Sequence, residues 1–285
     1  MRLATVSVSP DTNHGARTAA AVEFDGTWYR LRAASVSELL LDPQWRDRAT
    51  TAAGRTEPLP HPEFATVVPS PGKIFCCGLN YSEHIRETGR AIPEYPTLFA
   101  KFADTLCGPE ADILLTGDST RVDWEAELAV VIGATIYRGD EAEASRAIAG
   151  YTVANDVSMR DWQHRTLQWL QGKAFDASTP LGPVLVTADA VDPAAGLDIT
   201  CQVNGVTVQH GNTATLVFSA AALVSYISQF STLRPGDVVL TGTPGGVGMA
   251  MQPPQFLTEG DVLTTTIEGI GTMTNRIRIA EPARV

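Results

Sequence analysis

The sequence predicts a mainly β chain with short helices, an α+β arrangement in place of a wound parallel sheet. Three observations predict it. Apolar segments of strand length recur between Lys73 and Ile279. The pairs Asp25-Gly26 and Asn204-Gly205 sit inside such segments, where a tight hairpin needs residues that accept positive φ. The regular strand-helix alternation that marks parallel βαβ units is missing, so an antiparallel or mixed sheet is favoured. With 285 residues the chain can bury a sizeable core, as one large domain or as a small one plus a large one.

Residues 3–8 alternate as a strand, and 21–31 form a hairpin about Asp25-Gly26. Ser35-Val36-Ser37-Glu38 has capping-box spacing before Leu39-Leu40-Leu41, which predicts a short helix. Residues 50–72 hold Pro58, Pro60, Pro62, Pro69 and Pro71. Proline restricts the chain to extended or turn conformations, so a linker is expected there. This divides the chain into a small N-terminal α/β unit with its linker, 1–70, and a larger domain, 71–285. In the larger part, strands are expected over 73–78, 124–133, 150–156, 198–209, 237–242 and 261–279. The stretch 220–230 reads as one amphipathic helix ending before Pro235.

Charge and composition narrow the function. The net charge is −11 with a pI near 4.9, so nothing basic is available to neutralise nucleic-acid phosphates or anionic lipid. An anionic ligand would then need local positive charge from a metal or from a few Lys and Arg. No run of 18 apolar residues marks a membrane span, and the first residues lack the apolar core of a signal peptide, so a cytoplasmic protein is expected. Cys76, Cys77, Cys107 and Cys201 show no metal-ligand spacing and read as reduced core residues.

The chemistry gathers around acids at strand ends. Glu125 and Glu127 precede the continuous apolar run Leu128-Ala129-Val130-Val131-Ile132. In a strand, residues two apart share a face with about 7 Å between Cα positions, which suits two ligands of one cation. The same spacing also fits two harmless acids at a solvated strand end. Asp156 adds a third carboxylate after another apolar run, Tyr151-Thr152-Val153-Ala154. Three oxygen donors without Cys or a His pair suit a hard cation, Mg²⁺ or Mn²⁺, better than zinc.

Other segments are weaker alone. His84 and Glu87 are three apart and would share a face of a helical turn before Gly89, as a water-activating pair or as an exposed charge pair. Lys173, in Gln171-Gly172-Lys173-Ala174, could bring positive charge to an anionic substrate, and Lys101 lies in an apolar setting; either could equally be a surface lysine. Thr241-Gly242-Thr243-Pro244-Gly245-Gly246 follows an apolar strand but lacks the lysine of a nucleotide loop. Its amides and the Thr243 hydroxyl could meet an oxyanion, or the segment could be a plain turn.

Taken in order, Gly-Leu-Asn-Tyr from Gly78, Asp-Trp-Glu-Ala-Glu-Leu from Asp123, Asn-Asp-Val-Ser-Met-Arg-Asp from Asn155, Gly-Lys-Ala-Phe-Asp from Gly172, Val-Asn-Gly from Val203 and Leu-Thr-Gly-Thr-Pro from Leu240 resemble the fumarylacetoacetate hydrolase family over roughly 70–280. The resemblance implies a catalytic domain of rolled, layered β-sheets and a homodimer. It implies Glu125, Glu127 and Asp156 as metal ligands and His84 and Glu87 as a water-activating dyad on a lid. It also implies Lys173, Gln163 and Thr243 as substrate or oxyanion contacts, with Lys101 open. Gln168-Trp169-Leu170 is bulkier than in some relatives, which bears on pocket size. The implied activity is hydrolysis of a carbon-carbon bond in a small anionic 2,4-dioxo acid, an acylpyruvate, through a metal-stabilised enolate. The same enolate would serve oxaloacetate decarboxylation or isomerisation of an oxo-diene dioate. A catalytically silent metal-binding protein is the reading from another class.

Overall fold

The computed structural model of the chain describes residues 1–8, 17–52, 56, 58–82, 85, 91–117 and 119–280. Most of the described strands belong to two sheets. The larger has eleven strands and runs Pro58–Leu59, Thr27–Arg30, Thr18–Phe24, Arg2–Ser7, Thr179–Thr187, Ile148–Asn155, Ala126–Ile132, Val238–Leu240, Ile74–Gly78 and Thr97–Lys101, with Leu106–Cys107 paired to Thr179–Thr187. It is antiparallel except where Ile74–Gly78 meets Val238–Leu240 and Leu106–Cys107 meets Thr179–Thr187. After Thr97–Lys101 the chain thus returns to the middle of the same sheet, which curls the sheet upon itself. The five-stranded sheet runs Val206–Asn212, Asp198–Val203, Val262–Ile267, Gly271–Ala280 and Ile113–Thr116.

Both faces of the large sheet are covered. Leu128, Val130 and Val153 face Ile199, Leu263, Met273 and Ile277 of the smaller sheet in one core. Ala129, Val131, Ala154, Leu181 and Leu240 share a second core with Val36, Leu39 and Leu40 of the helix Val36–Leu40. A strand buried on both faces reads as an unbroken apolar run rather than an alternation. That is why Ala126–Ile132 and Ile148–Asn155 are buried at every position.

The turn chemistry behaves as the sequence predicts. Asp25 and Gly26 both have positive φ, as do Asn204 and Gly205, and each pair closes a hairpin. Ser35 caps the helix by accepting from the Glu38 amide at 3.2 Å, while Glu38 reaches back to the Ala34 amide at 2.9 Å. The four cysteines are free and buried; burial pushes the Cys77, Cys107 and Cys201 thiols up to about 12.

Three features differ from expectation. The stretch expected as a linker lies on the sheet: Pro58–Leu59 pairs with Thr27–Arg30, and Val67 and Val68 are buried. Thr179–Thr187 is a central strand despite Pro180, Gly182 and Pro183; the ladder to Ile148–Asn155 shifts register opposite this stretch, and such irregularities accommodate prolines that cannot donate. The helix Glu141–Ala147 was hidden by its polar composition, yet Asp140 and Glu143 form a complete capping box.

Candidate metal and substrate site

Strand polarity assembles the acids. Ala126–Ile132 begins where Ile148–Asn155 ends, with Ala126 opposite Asn155, so Glu125 and Glu127 arrive beside Asp156. Each offers a carboxylate oxygen within 4.8 Å of the others. Glu127 and Asp156 are 1% and 0% exposed, which removes the solvated-strand-end alternative. Burial and the neighbouring Asp156 and Glu125 push the Glu127 carboxyl well above its ordinary value. For Asp156 burial acts upward too, but Lys101 and Lys173 outweigh it and hold the carboxyl below the ordinary range.

Two lysines reach these acids. Lys101 Nζ lies 2.5 Å from Asp156 Oδ1, and Lys173 Nζ lies 2.7 Å from Glu125 Oε2 and 2.9 Å from Asp156 Oδ2. The Lys173 ammonium therefore already bridges two carboxylates, and the donor set is all oxygen, which fits a hard divalent cation. Four buried carboxylates, with Asp123, face three buried cations, with Arg160. With every group ionised the cluster carries one net negative charge; with the Glu127 proton in place it is neutral, and a divalent cation that expels that proton would leave it one positive. An anionic substrate then meets the local positive charge that the acidic chain as a whole denies it.

A second layer of contacts fixes the geometry. Arg160 Nε donates to Asp123 Oδ2 at 2.8 Å; its Nη1 lies 2.7 Å from Glu125 Oε1 and donates to Gln163 Oε1 at 2.8 Å. Asp123 also accepts from the amides of Trp124, Gly248 and Met249, so one buried carboxylate ties the arginine to the loop after Val238–Leu240. Glu127 accepts from the Gly242 amide at 2.7 Å. A cavity of about 150 Å³ opens over the acids, lined among others by Glu125, Glu127, Gln163, Lys173 and Thr243.

The structure thus brings together Glu125, Glu127, Asp156, Lys101, Lys173, Gln163 and Thr243. His84 and Glu87 lie outside the described residues. Arg160, Asp123 and Gln209 were not singled out from the sequence. Arg160 sits in the Asn155 motif three residues before Gln163, a spacing that shares a helical face. Gln209 carries no such signal: it accepts from the Ala126 amide and donates to Thr243 Oγ1 at 2.9 Å from the other sheet.

Metal uptake should be proton-linked. A cation binds the carboxylate form of Glu127, whereas burial beside two other acids favours the protonated form, so binding must expel that proton. Mn²⁺ affinity should therefore rise with pH until Glu127 is ionised, by up to about ten-fold per pH unit for one linked proton. Calorimetric titrations in two buffers of different ionisation enthalpy should differ by nearly one proton released. Identical heats in both buffers would show that Glu127 enters the site already ionised.

Residues 73–278 match the sequence model described as fumarylacetoacetate (FAA) hydrolase C-terminal. The chain is 47% identical over 216 residues to the human mitochondrial oxaloacetate tautomerase FAHD2A, covering 75% of this chain and 69% of that protein. It is similar in structure to a fumarylacetoacetate hydrolase from Exiguobacterium antarcticum, with a TM-score of 0.87 at 32% identity, covering 98% of this chain and all of the other. It is also similar to fumarylpyruvate hydrolase from Pseudomonas aeruginosa in complex with Mn²⁺ and pyruvate, with a TM-score of 0.67 at 33% identity over 74% and 91% of the chains.

Proposed function

Since the chain belongs to the fumarylacetoacetate hydrolase family, we propose that it is a divalent-metal-dependent enzyme that moves a proton at C3 of a small 2-oxo dicarboxylic acid, interconverting the enol and keto forms of an oxaloacetate-type substrate. The observation that carries this is the cavity of about 150 Å³ lined by Glu125, Glu127, Arg160 and Lys173, with Asp156 buried beside the two glutamates. Oxygen donors and cations converging in one cleft suit a small polyanionic acid rather than an apolar ligand. The identity to a relative named for oxaloacetate tautomerisation supports the same substrate class.

A divalent cation held by Glu125, Glu127 and Asp156 would act as a Lewis acid on the 2-oxo group. The chain's own residues meet the charge that develops. In the keto-to-enol direction C3 gives its proton to a solvent water in the open cavity, the C–H electron pair moves into the C2–C3 bond and negative charge develops on the C2 oxygen. That oxygen takes a proton from solvent to complete the enol, and the reverse direction returns both protons. Lys173 meets the developing charge as an ammonium, because Asp156 and Glu125 raise its pKa by more than burial lowers it; it stabilises charge and does not serve as the base. Thr243 Oγ1 already accepts from Gln209, which leaves its own hydrogen free to donate into the cavity that it lines. Arg160, held charged by Glu125 and Asp123 against burial, adds positive potential at the wall. None of these roles requires attack by water.

Carbon-carbon hydrolysis of an acylpyruvate is the second reading, favoured by the similarity to fumarylpyruvate hydrolase. It requires a water-activating base, the part assigned to His84 with Glu87. The two separate in one experiment with Mg²⁺- and Mn²⁺-loaded protein on enol-oxaloacetate, oxaloacetate decarboxylation and acylpyruvates. The wild type should accelerate enol decay, followed by its ultraviolet absorbance, and chelation should abolish it. His84→Ala should leave that rate within a few-fold while acylpyruvate cleavage, where present, drops by about 10²–10⁴, the usual contribution of a general base. No acceleration of enol decay by metal-loaded protein would sink the tautomerase reading.

A further inference from the structure

We infer that the Trp169 indole is the length gate of this site, restricting it to 2-oxo acids with a short tail beyond C3; the inference rests on the reading that the cavity takes such acids. Trp169 stands at the head of the helical turn Leu170–Lys173, where its carbonyl accepts from the Gly172 amide at 2.9 Å. The turn that places Lys173 on the acids therefore also places the indole. It has little room to slide, since a Cβ added at Gly172 would lie 2.4 Å from the Gln163 amide nitrogen.

The ring fills the space over Gly78: a Cβ there would come within 2.4 Å of Trp169 Cζ3. Its other neighbour is Phe99, at 5.6 Å between centroids and 68°, and Phe99 in turn carries Lys173 Nζ over its face at 5.2 Å. Phe99 and Trp169 thus make one aromatic wall that starts at the charged floor and rises along the cavity. A substrate whose carboxylate and 2-oxo group sit at that floor meets the Phe99 ring first, 5.2 Å from Lys173 Nζ, and the indole one ring further along the wall, 5.6 Å from Phe99. Aromatic rings in this role discriminate by shape, and one methylene too many in a tight apolar pocket is felt.

The test uses Mn²⁺-loaded wild type, Trp169→Ala and Trp169→Phe, with oxaloacetate and 2,4-dioxo acids bearing acetyl, butyryl and hexanoyl tails. Binding is read by calorimetry and turnover by kcat/KM. In the wild type both should fall as the tail lengthens. Trp169→Ala should shift the hexanoyl-to-oxaloacetate preference by about ten- to a hundred-fold toward the long acid, with Trp169→Phe between. The ligand-induced change in tryptophan fluorescence should shrink in both variants by the part that Trp169 supplies, with Trp124 and Trp162 remaining as reporters beside the site. An unchanged length ranking in folded Trp169→Ala overturns the gate. Should that variant not fold, a length ranking in Trp169→Phe identical to that of the wild type overturns it instead. Binding of all the acids by the wild type without length dependence overturns the gate alone, whereas no binding of any of them overturns the reading of the site and the gate with it.

Discussion

Asp156→Asn should lose Mn²⁺ binding and melt on the order of 10 °C below the wild type. Asp156 is wholly buried and its two oxygens are shared between Lys101 and Lys173, themselves 3% and 2% exposed. Removing one partner of a buried pair costs about 3–5 kcal/mol; here Lys101 loses the carboxylate that it is paired with in a dry site, while Lys173 keeps Glu125. For a chain of this size each kcal/mol moves the melting temperature by roughly 2–4 °C. The pH dependence carries the same signature. A carboxyl whose folded pKa is depressed stabilises the fold above its unfolded value, roughly pH 4, and that contribution is lost as pH falls toward the folded value. The variant should therefore show a flatter acid limb. Thermal melts and calorimetric Mn²⁺ titration check both; a melting temperature within a degree or two of wild type, with metal binding intact, would remove Asp156 from the hub of the site.

How much of this was legible beforehand depends on whether a residue's role is local. Glu125, Glu127 and Asp156 were readable because an acid next to an unbroken apolar run marks the mouth of a buried strand, and antiparallel pairing of the two runs suffices to bring them together. Lys101 was not. Its apolar setting shows a strand, but only the curl that returns Leu106–Cys107 to Thr179–Thr187 carries its ammonium to Asp156. The prolines that disguised Thr179–Thr187 concealed that closure too. Asp123 and Arg160 escaped for another reason: a buried ion pair and two surface charges are the same letters, and burial alone separates them. Gln209 reaches Thr243 from the second sheet, a contact that no spacing encodes.

Lys173→Met should separate metal binding from turnover. The lysine spans Glu125 and Asp156 and stays charged between them, so two opposed effects follow from its removal. For the metal, a positive charge that competes for the same carboxylates is gone; Mn²⁺ affinity should hold or tighten. For the substrate, the ammonium that meets charge developing on the C2 oxygen is also gone. Loss of one such preorganised donor lowers kcat by about 10²–10³. Methionine keeps an apolar stem against Phe99, so the packing of the turn persists. The two carboxylates left without their ammonium destabilise the metal-free protein, and Mn²⁺ should restore much of the melting temperature, since a ligand that binds the folded state alone stabilises it by mass action. Calorimetry, melts with and without Mn²⁺, and kcat at saturating metal measure each effect. A parallel loss of affinity and kcat would mean that Lys173 only props the metal ligands. A kcat within a few-fold of wild type at full metal occupancy would assign the charge stabilisation to Arg160 and Thr243 instead.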